Sequence, residues 1–271
     1  MVKFKKYEEW VKSKGAIIEK CKLKWKHSLQ NNLVATQDIK KGETVVGIPY
    51  AQWMPLEALM ADSPICLKLN EKGELTKKLS HPWRNSFFAC WFIEQQKLGE
   101  KSKCREYVSF LPNNQHIFPE NYTEKEMEML KGCEHIAKKL ELKNKVIQHD
   151  YDLLLAANPA IKDTVSLEEF KQGRTWAASR AYDLAFTDGQ TRQVLVPFLE
   201  FSPINHGSEL NVKCMQVDNH MKLMACKDIK KGDVIVQQQA KASNTDVLMN
   251  TGFCAENNGD RNNVVVDISL D

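Results

Sequence analysis

The sequence contains no run of about twenty apolar residues, which is the length that a membrane-spanning helix requires. Its eight cysteines form no Cys-x-x-Cys pair and are accompanied by no His-x₃-His spacing, so a zinc site is not expected. Neither sign of charge dominates, because 38 Lys and Arg oppose 35 Asp and Glu for a net charge of +3. This near balance lacks the basic excess typical of nucleic-acid binding. We therefore expect no metal, no nucleic acid and no membrane among the partners of this chain.

The first residues also lack the apolar segment of a secretory signal. We expect a cytoplasmic protein whose thiols stay free in a reducing compartment. The N-terminal region is instead rich in lysine, at positions Lys3, Lys5, Lys6, Lys12, Lys14, Lys20, Lys22, Lys24 and Lys26. A solvated surface is the simplest explanation of such a run, and a docking surface for an acidic partner is the alternative.

Local patterns predict several elements before any family is considered. Apolar residues recur at helical spacing from Phe4 to Val11, and Gly15 follows as a stop signal. Alternating apolar residues from Ile17 to Trp25 predict a half-buried strand. The aromatic residues from Phe87 to Phe92 lie on one face of a predicted amphipathic helix, and such a stripe is far more often core than ligand site.

Two capping boxes mark predicted helix starts, because a Ser or Thr followed three residues later by Glu can satisfy the first backbone donors of a helix. Thr123 and Glu126 open a tract that we predict to be helical from Thr123 to Leu155. Ser166 and Glu169 open a helix that we predict to run to Arg180.

An internal repeat links two distant parts of the chain. Leu33 to Val46 matches Leu223 to Val236 at a fixed offset, and both copies contain Asp-Ile-Lys-Lys-Gly followed by an acidic residue. Each copy has an apolar strand, a turn in which glycine supplies a positive φ, and a second apolar strand. We predict that the two hairpins lie together in one small-sheet domain.

The most informative stretch runs from Val194 to Phe253. An apolar run, Val194 to Phe198, predicts a buried strand, and Asn205-His206 follow it. After the second hairpin come Ala242-Ser243-Asn244, a short apolar helix and Thr251-Gly252-Phe253.

This order of motifs resembles the C-terminal core of the SET-domain protein methyltransferases, in the branch of the Rubisco large-subunit lysine and actin-histidine methyltransferases. The resemblance implies an α+β fold, in which the small sheets of a SET domain carry a large helical insert. It divides the chain into an N-terminal helix with the first part of the SET core (1–54), the insert (55–185) and the C-terminal part of the core (186–271). The C-terminal substrate-binding lobe of the family is expected to be absent.

The resemblance also implies a set of site residues. Asn205 and His206 match the pair that holds S-adenosylmethionine, and Phe253 matches a phenylalanine that packs on the adenine. Ser179 and Arg180 match positions near the target nitrogen. Each has a structural alternative, namely a satisfied buried turn for Asn205 and His206, a core position for Phe253, and helix packing with a surface ion pair for Ser179 and Arg180.

The chain departs from the family at the catalytic tyrosine. That position falls at Gln239, and glutamine cannot supply the phenol that orients the nucleophile. Loss of one such positioned group typically lowers the rate on the order of 10²–10³-fold. The cofactor-facing turn, usually Gly-x-Gly, reads Gln30-Asn31-Asn32, which leaves Asn32 as the cofactor-binding candidate there.

These departures favour a catalytically degenerate SET-domain protein that acts as an interaction or structural subunit, within a larger assembly and with a protein partner. The alternative is an active S-adenosylmethionine-dependent protein methyltransferase with a lysine or histidine of a protein as its substrate. A cytoplasmic location, with association with the cytoskeleton as a variant, agrees with either hypothesis.

Overall fold

The computed structural model describes residues 2–27, 30–70, 74–80, 82–111, 118–201, 204–205, 210–238, 243–252 and 254. The helices are α1 (Val2–Ser13), α2 (Leu56–Ala61), α3 (Pro64–Asn70), α4 (Leu75–Lys78), α5 (Arg84–Leu98), α6 (Arg105–Val108), α7 (Glu124–Met129), α8 (Glu134–Ala157), α9 (Ile161–Thr164), α10 (Leu167–Arg180) and α11 (Asn244–Thr251). Within these described segments, no helix combines the length and apolar character needed to cross a bilayer.

The strands form three small sheets. They are β1 (Cys21–His27), β2 (Gln30–Ala35), β3 (Thr44–Pro49), β4 (Met54–Pro55), β5 (Ala181–Ala185), β6 (Thr191–Leu195), β7 (Ile204–Asn205), β8 (Val212–Val217), β9 (His220–Ala225) and β10 (Gln237–Gln238). The sheet orders are β1-β2, β3-β9-β8-β10-β7 and β4-β6-β5. The structure thus confirms the predicted α+β class, in which helices between β4 and β5 separate strands that share sheets.

The N-terminal predictions hold in outline. Helix α1 ends at Ser13, and Gly15 follows with a φ of 92°. The strand predicted from Ile17 begins later, at Cys21, because Ile17 makes only an isolated bridge to Gly47. Strand β1 pairs with β2 in antiparallel register instead.

The two copies of the repeat lie together about a pseudo-twofold relation, as predicted. Neither copy forms a hairpin of its own, because β2 pairs with β1, β3 pairs with β9 of the other copy, and Val234 bridges Val34. The Asp38 carboxylate accepts from the backbone N–H of Lys231 (2.9 Å) and from Nζ of Lys230 (3.0 Å). The Asp228 carboxylate accepts in the same way from Lys41 N–H and Lys40 Nζ, at 2.9 and 3.1 Å. We refer to these six residues, with the Ile39–Ile229 bridge between them, as the repeat clasp.

The helical insert is built around α5, whose residues from Asn85 to Gln95 are all buried. Helix α10 crosses α5 at Gly173, where an added Cβ would lie 2.6 Å from the Cα of Ala89. Only glycine permits this separation, since real Cβ atoms do not approach a backbone so closely. The crossing fixes the end of α10, and therefore the position of Arg180.

A buried ionic network fixes α8 against the same pair of helices. The Asp150 carboxylate on α8 accepts from Arg174 Nη1 at 2.5 Å, from Ser86 Oγ at 3.1 Å and from Ser80 N–H at 2.9 Å. Asp150 has no exposed surface. Because every buried charge here has partners, the network avoids the large cost of an unpaired buried carboxylate.

Both capping boxes are present, with reciprocal bonds between Thr123 and Glu126 and between Ser166 and Glu169. The tract from Thr123 to Leu155 is helical as predicted, but the prediction that it is continuous is wrong. The tract is two helices, α7 and α8, separated at Gly132, whose φ is 93°. The positive φ interrupts the hydrogen-bond ladder of an α-helix there.

The strand predicted from Val194 to Phe198 lies three residues earlier, at Thr191–Leu195. Strand β6 ends at Leu195, and Phe198 adopts a φ of 78°. Positive φ is uncommon for a bulky residue, and here Phe198 is fully buried while its N–H donates to the Tyr7 hydroxyl. The chain therefore turns after β6, and this turn brings Glu200 towards α1.

The last helix follows its sequence signals. Ser243 caps α11 by accepting from the N–H of Asp246, and Gly252 ends the helix in the left-handed conformation with a φ of 79°. The hairpin that precedes it is formed by β8 and β9, so β9 pairs with the strand before it and not with the predicted strand at Val234.

Candidate functional site

The site lies where β7 and β10 pair beside the end of α10. These two short strands run parallel, with Gln237 opposite Ile204 and Gln238 opposite Asn205. Parallel pairing brings together chain segments that are distant in sequence. The backbone of Asn205 is therefore adjacent to the strand that leads to residue 239.

Arg180 is the last residue of α10, and Ser179 orients it. The Ser179 hydroxyl donates to the carbonyls of Thr175 (2.9 Å) and Trp176 (3.2 Å), and it accepts from Arg180 Nη1 at 2.6 Å. Both side chains are half-buried. Ser179 thus has the helix-packing role that the sequence left open, and it also holds the guanidinium of Arg180 in place.

Tyr182 follows Arg180 on β5, and its hydroxyl forms a hydrogen bond with the Gln237 side chain. Burial raises the pKa of the Tyr182 hydroxyl well above its ordinary range, and the nearby Cys214 and Glu200 raise it further. The side chain nevertheless keeps some exposed surface. Tyr182 is thus only partly buried, unlike the fully buried Tyr7 and Tyr107.

Glu200 is the most perturbed acid of the site. Burial raises the pKa of its carboxyl from 4.5 to about 7, although the Arg180 guanidinium and the Tyr7 hydroxyl act in the opposite direction. Tyr7 donates to Oε1 at 3.3 Å, whereas Oε2 is buried and has no hydrogen-bond partner. A buried acceptor without a donor is costly, so Oε2 is a candidate acceptor for a donor group of a ligand.

We call Arg180, Tyr182, Glu200 and Gln237 the polar recess. The electrostatic influence of Arg180 and Glu200 on Tyr182, and of Arg180 on Glu200, shows that they lie near one another. The recess offers a cation, a carboxyl group that can change its protonation near neutral pH, a phenol and an amide. These groups can bind a zwitterionic ligand and orient an amine.

Asn32 lies close to the same region. It is half-buried on β2, and the carbonyl of its neighbour Leu33 accepts from Ile235, two residues before Gln237. Strand β2 also lies against the 3₁₀ turn Leu199–Phe201, which carries Glu200.

The structure therefore brings Ser179, Arg180, Asn32 and the backbone of Asn205 into one region. The side chain of Asn205 lies outside the described structure, as do Gln239, His206 and Phe253, so their predicted roles stay predictions.

Two residues of the site had little or no signal in the sequence. Tyr7 was predicted only as part of an apolar helix face, yet it bonds to Glu200 across 193 residues. Gln237 was one of three consecutive glutamines, and only the pairing of β10 identifies it as the partner of Tyr182. The sequence shows that an acidic residue, Glu200, lies upstream of Asn205. It does not show that this residue is buried.

A separate cavity of about 350 Å³ lies between α8, α10 and α11. None of the predicted site residues lines it, and the charged groups at its wall are paired, as Lys143 is with Glu120 at 2.8 Å. Across the part of the chain that the structure describes, no cluster of three or more His, Cys, Asp or Glu side chains could hold a metal ion.

No protein-family profile matches the chain. In sequence it is similar to the [fructose-bisphosphate aldolase]-lysine N-methyltransferase of Arabidopsis thaliana, with 26% identity over 259 residues that cover 88% of this chain and 48% of that protein. It is also similar to the Rubisco large-subunit N-methyltransferase of Pisum sativum, with 22% identity over 269 residues that cover 92% of this chain and 51% of that protein. The chain thus spans about half the length of these relatives.

The fold agrees with solved structures. The SET domain of LSMT bound to lysine and AdoHcy superimposes with a TM-score of 0.72 at 19% identity, covering 94% of this chain and 58% of that one. Rubisco LSMT bound to AdoMet gives 0.71 at 20% identity, with 94% and 57% covered. The predicted small sheets with a large helical insert are therefore those of a SET domain.

Proposed function

We propose that this chain, a SET-domain protein of the branch that the Rubisco large-subunit methyltransferases represent, is an S-adenosylmethionine-dependent protein N-methyltransferase. The acceptor that we propose is a lysine side chain, as in the names of the relatives, and histidine is the second acceptor to be tested. The observation that carries the proposal is the buried, partnerless Oε2 of Glu200 beside Arg180.

The polar recess fits the methionine part of this cofactor, which carries a carboxylate and an ammonium group. Arg180 offers a guanidinium for a carboxylate, a geometry that can be bidentate. Glu200 Oε2 offers a buried acceptor for an ammonium N–H. The cofactor, when bound, supplies a methyl group on a sulfonium, which is already activated for transfer.

The protein must then position the acceptor nitrogen, keep it unprotonated and exclude water. The recess suits this task because its side chains are partly or fully buried and are fixed by neighbours. Ser179 holds Arg180, and Tyr7 holds Glu200. A carboxyl group with a pKa of about 7 can also ionise when a cationic ligand arrives, which strengthens its attraction.

The alternative is a catalytically degenerate protein that serves as an interaction or structural subunit of a larger assembly. One observation favours it, namely Gln239 at the position of the family tyrosine. Under this alternative the lysine-rich N-terminal region would contact an acidic protein partner. The cytoplasmic location that both alternatives share is a further proposal, which cell fractionation tests.

Titration calorimetry with S-adenosylmethionine, followed by tritium transfer from the labelled cofactor, separates these alternatives. We expect micromolar binding that Arg180→Ala weakens at least tenfold, because the variant removes the only cation placed in the recess so far as the described residues go. Arg192→Ala is the matched control, since Arg192 pairs with Asp188 on the surface. Binding without transfer to purified aldolase, the Rubisco large subunit, actin or the chain itself would favour the alternative. Absence of binding would overturn the proposed function.

A further inference from the structure

We propose that the hydroxyl of Tyr182 orients the methyl acceptor, and so takes the place of the phenol that is missing at Gln239. This inference rests on the proposed function. It adds a positioning residue that is not among the family motifs matched in the sequence.

The placement of Tyr182 is the first argument. Its hydroxyl bonds to Gln237, which is two residues before position 239 and opposite Ile204 in the pairing of β10 with β7. The next pair along is Gln238 with Asn205. The phenol of Tyr182 on β5 is therefore hydrogen-bonded to the strand that leads to the family tyrosine position and that pairs with the Asn205 backbone.

The second argument is access. Tyr7 and Tyr107 lie in the same part of the molecule but are 0% and 1% exposed, and the Tyr7 hydroxyl is committed to Glu200 and to the N–H of Phe198. Tyr182 keeps some exposed surface. Of these three phenol side chains, it is therefore the one that is not fully buried.

The third argument is chemistry. A phenol oxygen has two lone pairs. The hydrogen bond with the Gln237 side chain uses at most one of them. A remaining lone pair can accept an N–H from an uncharged amine, which directs the lone pair of the amine towards the methyl carbon.

The raised pKa of Tyr182 keeps the hydroxyl protonated throughout the working pH range, so it orients the amine and does not act as a base. The acceptor ammonium loses its proton to water before attack. The nitrogen–carbon bond then forms while the carbon–sulfur bond breaks, the electron pair stays on sulfur, and the methylated nitrogen gives up a further proton to solvent or remains cationic.

The substitution Tyr182→Phe tests this role because it keeps the ring and removes only the oxygen. We expect kcat to fall on the order of 10²–10³-fold, as for removal of one positioned hydrogen-bonding group. The dissociation constant for S-adenosylmethionine should change less than threefold. Tyr50→Phe is the matched control, since Tyr50 packs on Trp53 and Phe186 outside the recess, and its kcat should equal that of the wild type.

A second variant distinguishes positioning from structural support. Adding Gln239→Tyr to Tyr182→Phe restores a phenol at the position where the family has its tyrosine, and we expect at least a tenfold recovery of kcat. A purely structural defect would not recover in this way. Full activity of Tyr182→Phe would overturn the inference and leave the proposed function intact, whereas a wild-type chain that binds the cofactor and transfers no methyl group to aldolase, the Rubisco large subunit, actin or itself would overturn both.

Discussion

Glu200 shows at the scale of a single residue how the fold creates a reactive group. Its side chain is ordinary in sequence, but burial raises the pKa of its carboxyl to about 7, and Oε2 lacks a partner. Strongly shifted carboxyls of this kind cluster at functional sites, because catalysis and ligand binding require groups whose pKa is matched to their task. The shift therefore has a consequence for folding that can be measured without any ligand.

We predict that Glu200→Gln changes the dependence of stability on pH. The folded state binds the Glu200 proton more tightly than the unfolded state, so this group contributes stability below pH 4.5 and loses that contribution as the pH rises through about 7. The glutamine variant mimics the protonated form and has no such loss. Relative to wild type, the variant should gain roughly 1–3 kcal/mol between pH 4.5 and pH 8.

Urea denaturation of both proteins at several pH values measures this difference. Glu168→Gln, at an exposed position of α10, is the control and should follow the wild type. Parallel stability curves for Glu200→Gln and wild type would show that the Glu200 carboxyl is not perturbed in the folded state.

At the scale of elements, the crossing of α5 and α10 determines where the recess lies. The absence of a side chain at Gly173 lets α10 approach Ala89 at backbone distance. The buried Arg174–Asp150 pair then holds α8 against both helices. Since Arg180 and Tyr182 directly follow this packed part of α10, the geometry of the site depends on the crossing.

We predict that Gly173→Ala destabilises the protein even though alanine favours helices. The new Cβ would lie 2.6 Å from the Ala89 Cα, so the helices must separate. Overpacking of this kind costs about 1–3 kcal/mol, which exceeds the roughly 1 kcal/mol that alanine gains in helix propensity. Denaturation midpoints measure the net loss.

The control for this crossing is Ala178→Ser on the exposed side of α10, which should shift stability little. An unchanged or raised midpoint for Gly173→Ala would mean that the helices do not meet at this distance. Because Arg180 follows on the same helix, the variant should also weaken binding of S-adenosylmethionine under the proposed function.

At the scale of the whole molecule, the repeat clasp joins the first and last parts of the SET core. Asp38 and Asp228 each accept one backbone N–H and one lysine Nζ from the other copy, and Ile39 and Ile229 exchange backbone bonds of 2.9 and 2.8 Å. The backbone bonds hold the pKa of each of these carboxyls below its usual range, and the lysine partners lower it further. The clasp therefore holds together the two chain segments that flank the helical insert.

We predict that Asp38→Ala and Asp228→Ala lower the denaturation midpoint by similar amounts, because the two aspartates occupy equivalent places in the clasp. Each variant leaves a turn N–H without its acceptor as well as removing a charge. Glu141→Ala, which removes only a surface i,i+4 pair with Lys145, should have little effect. A clearly unequal effect of the two aspartates would contradict the pseudo-twofold relation.

The sequence by itself determined the local elements and the pairing of the repeats. The capping boxes at Thr123 and Ser166 were readable because their hydrogen bonds span three residues. The Asp-Ile-Lys-Lys-Gly copies were readable because turn chemistry leaves a fixed pattern, and the order of motifs indicated the SET fold. The end of β6 could not be predicted from the sequence, since the positive φ of Phe198 depends on the packing of a distant helix.

Only the tertiary structure decided how the site is composed. The bond between Tyr7 and Glu200 spans 193 residues. The bond between Tyr182 and Gln237 joins β5 of the three-stranded sheet to β10 of the five-stranded sheet, so it depends on how the two sheets lie together. Neither leaves a signal in local sequence, because hydrophobic periodicity reports which residues are buried but not which polar groups meet. The burial that shifts the Glu200 pKa likewise arises from segments far apart in the chain, and so it exists only once they are packed together.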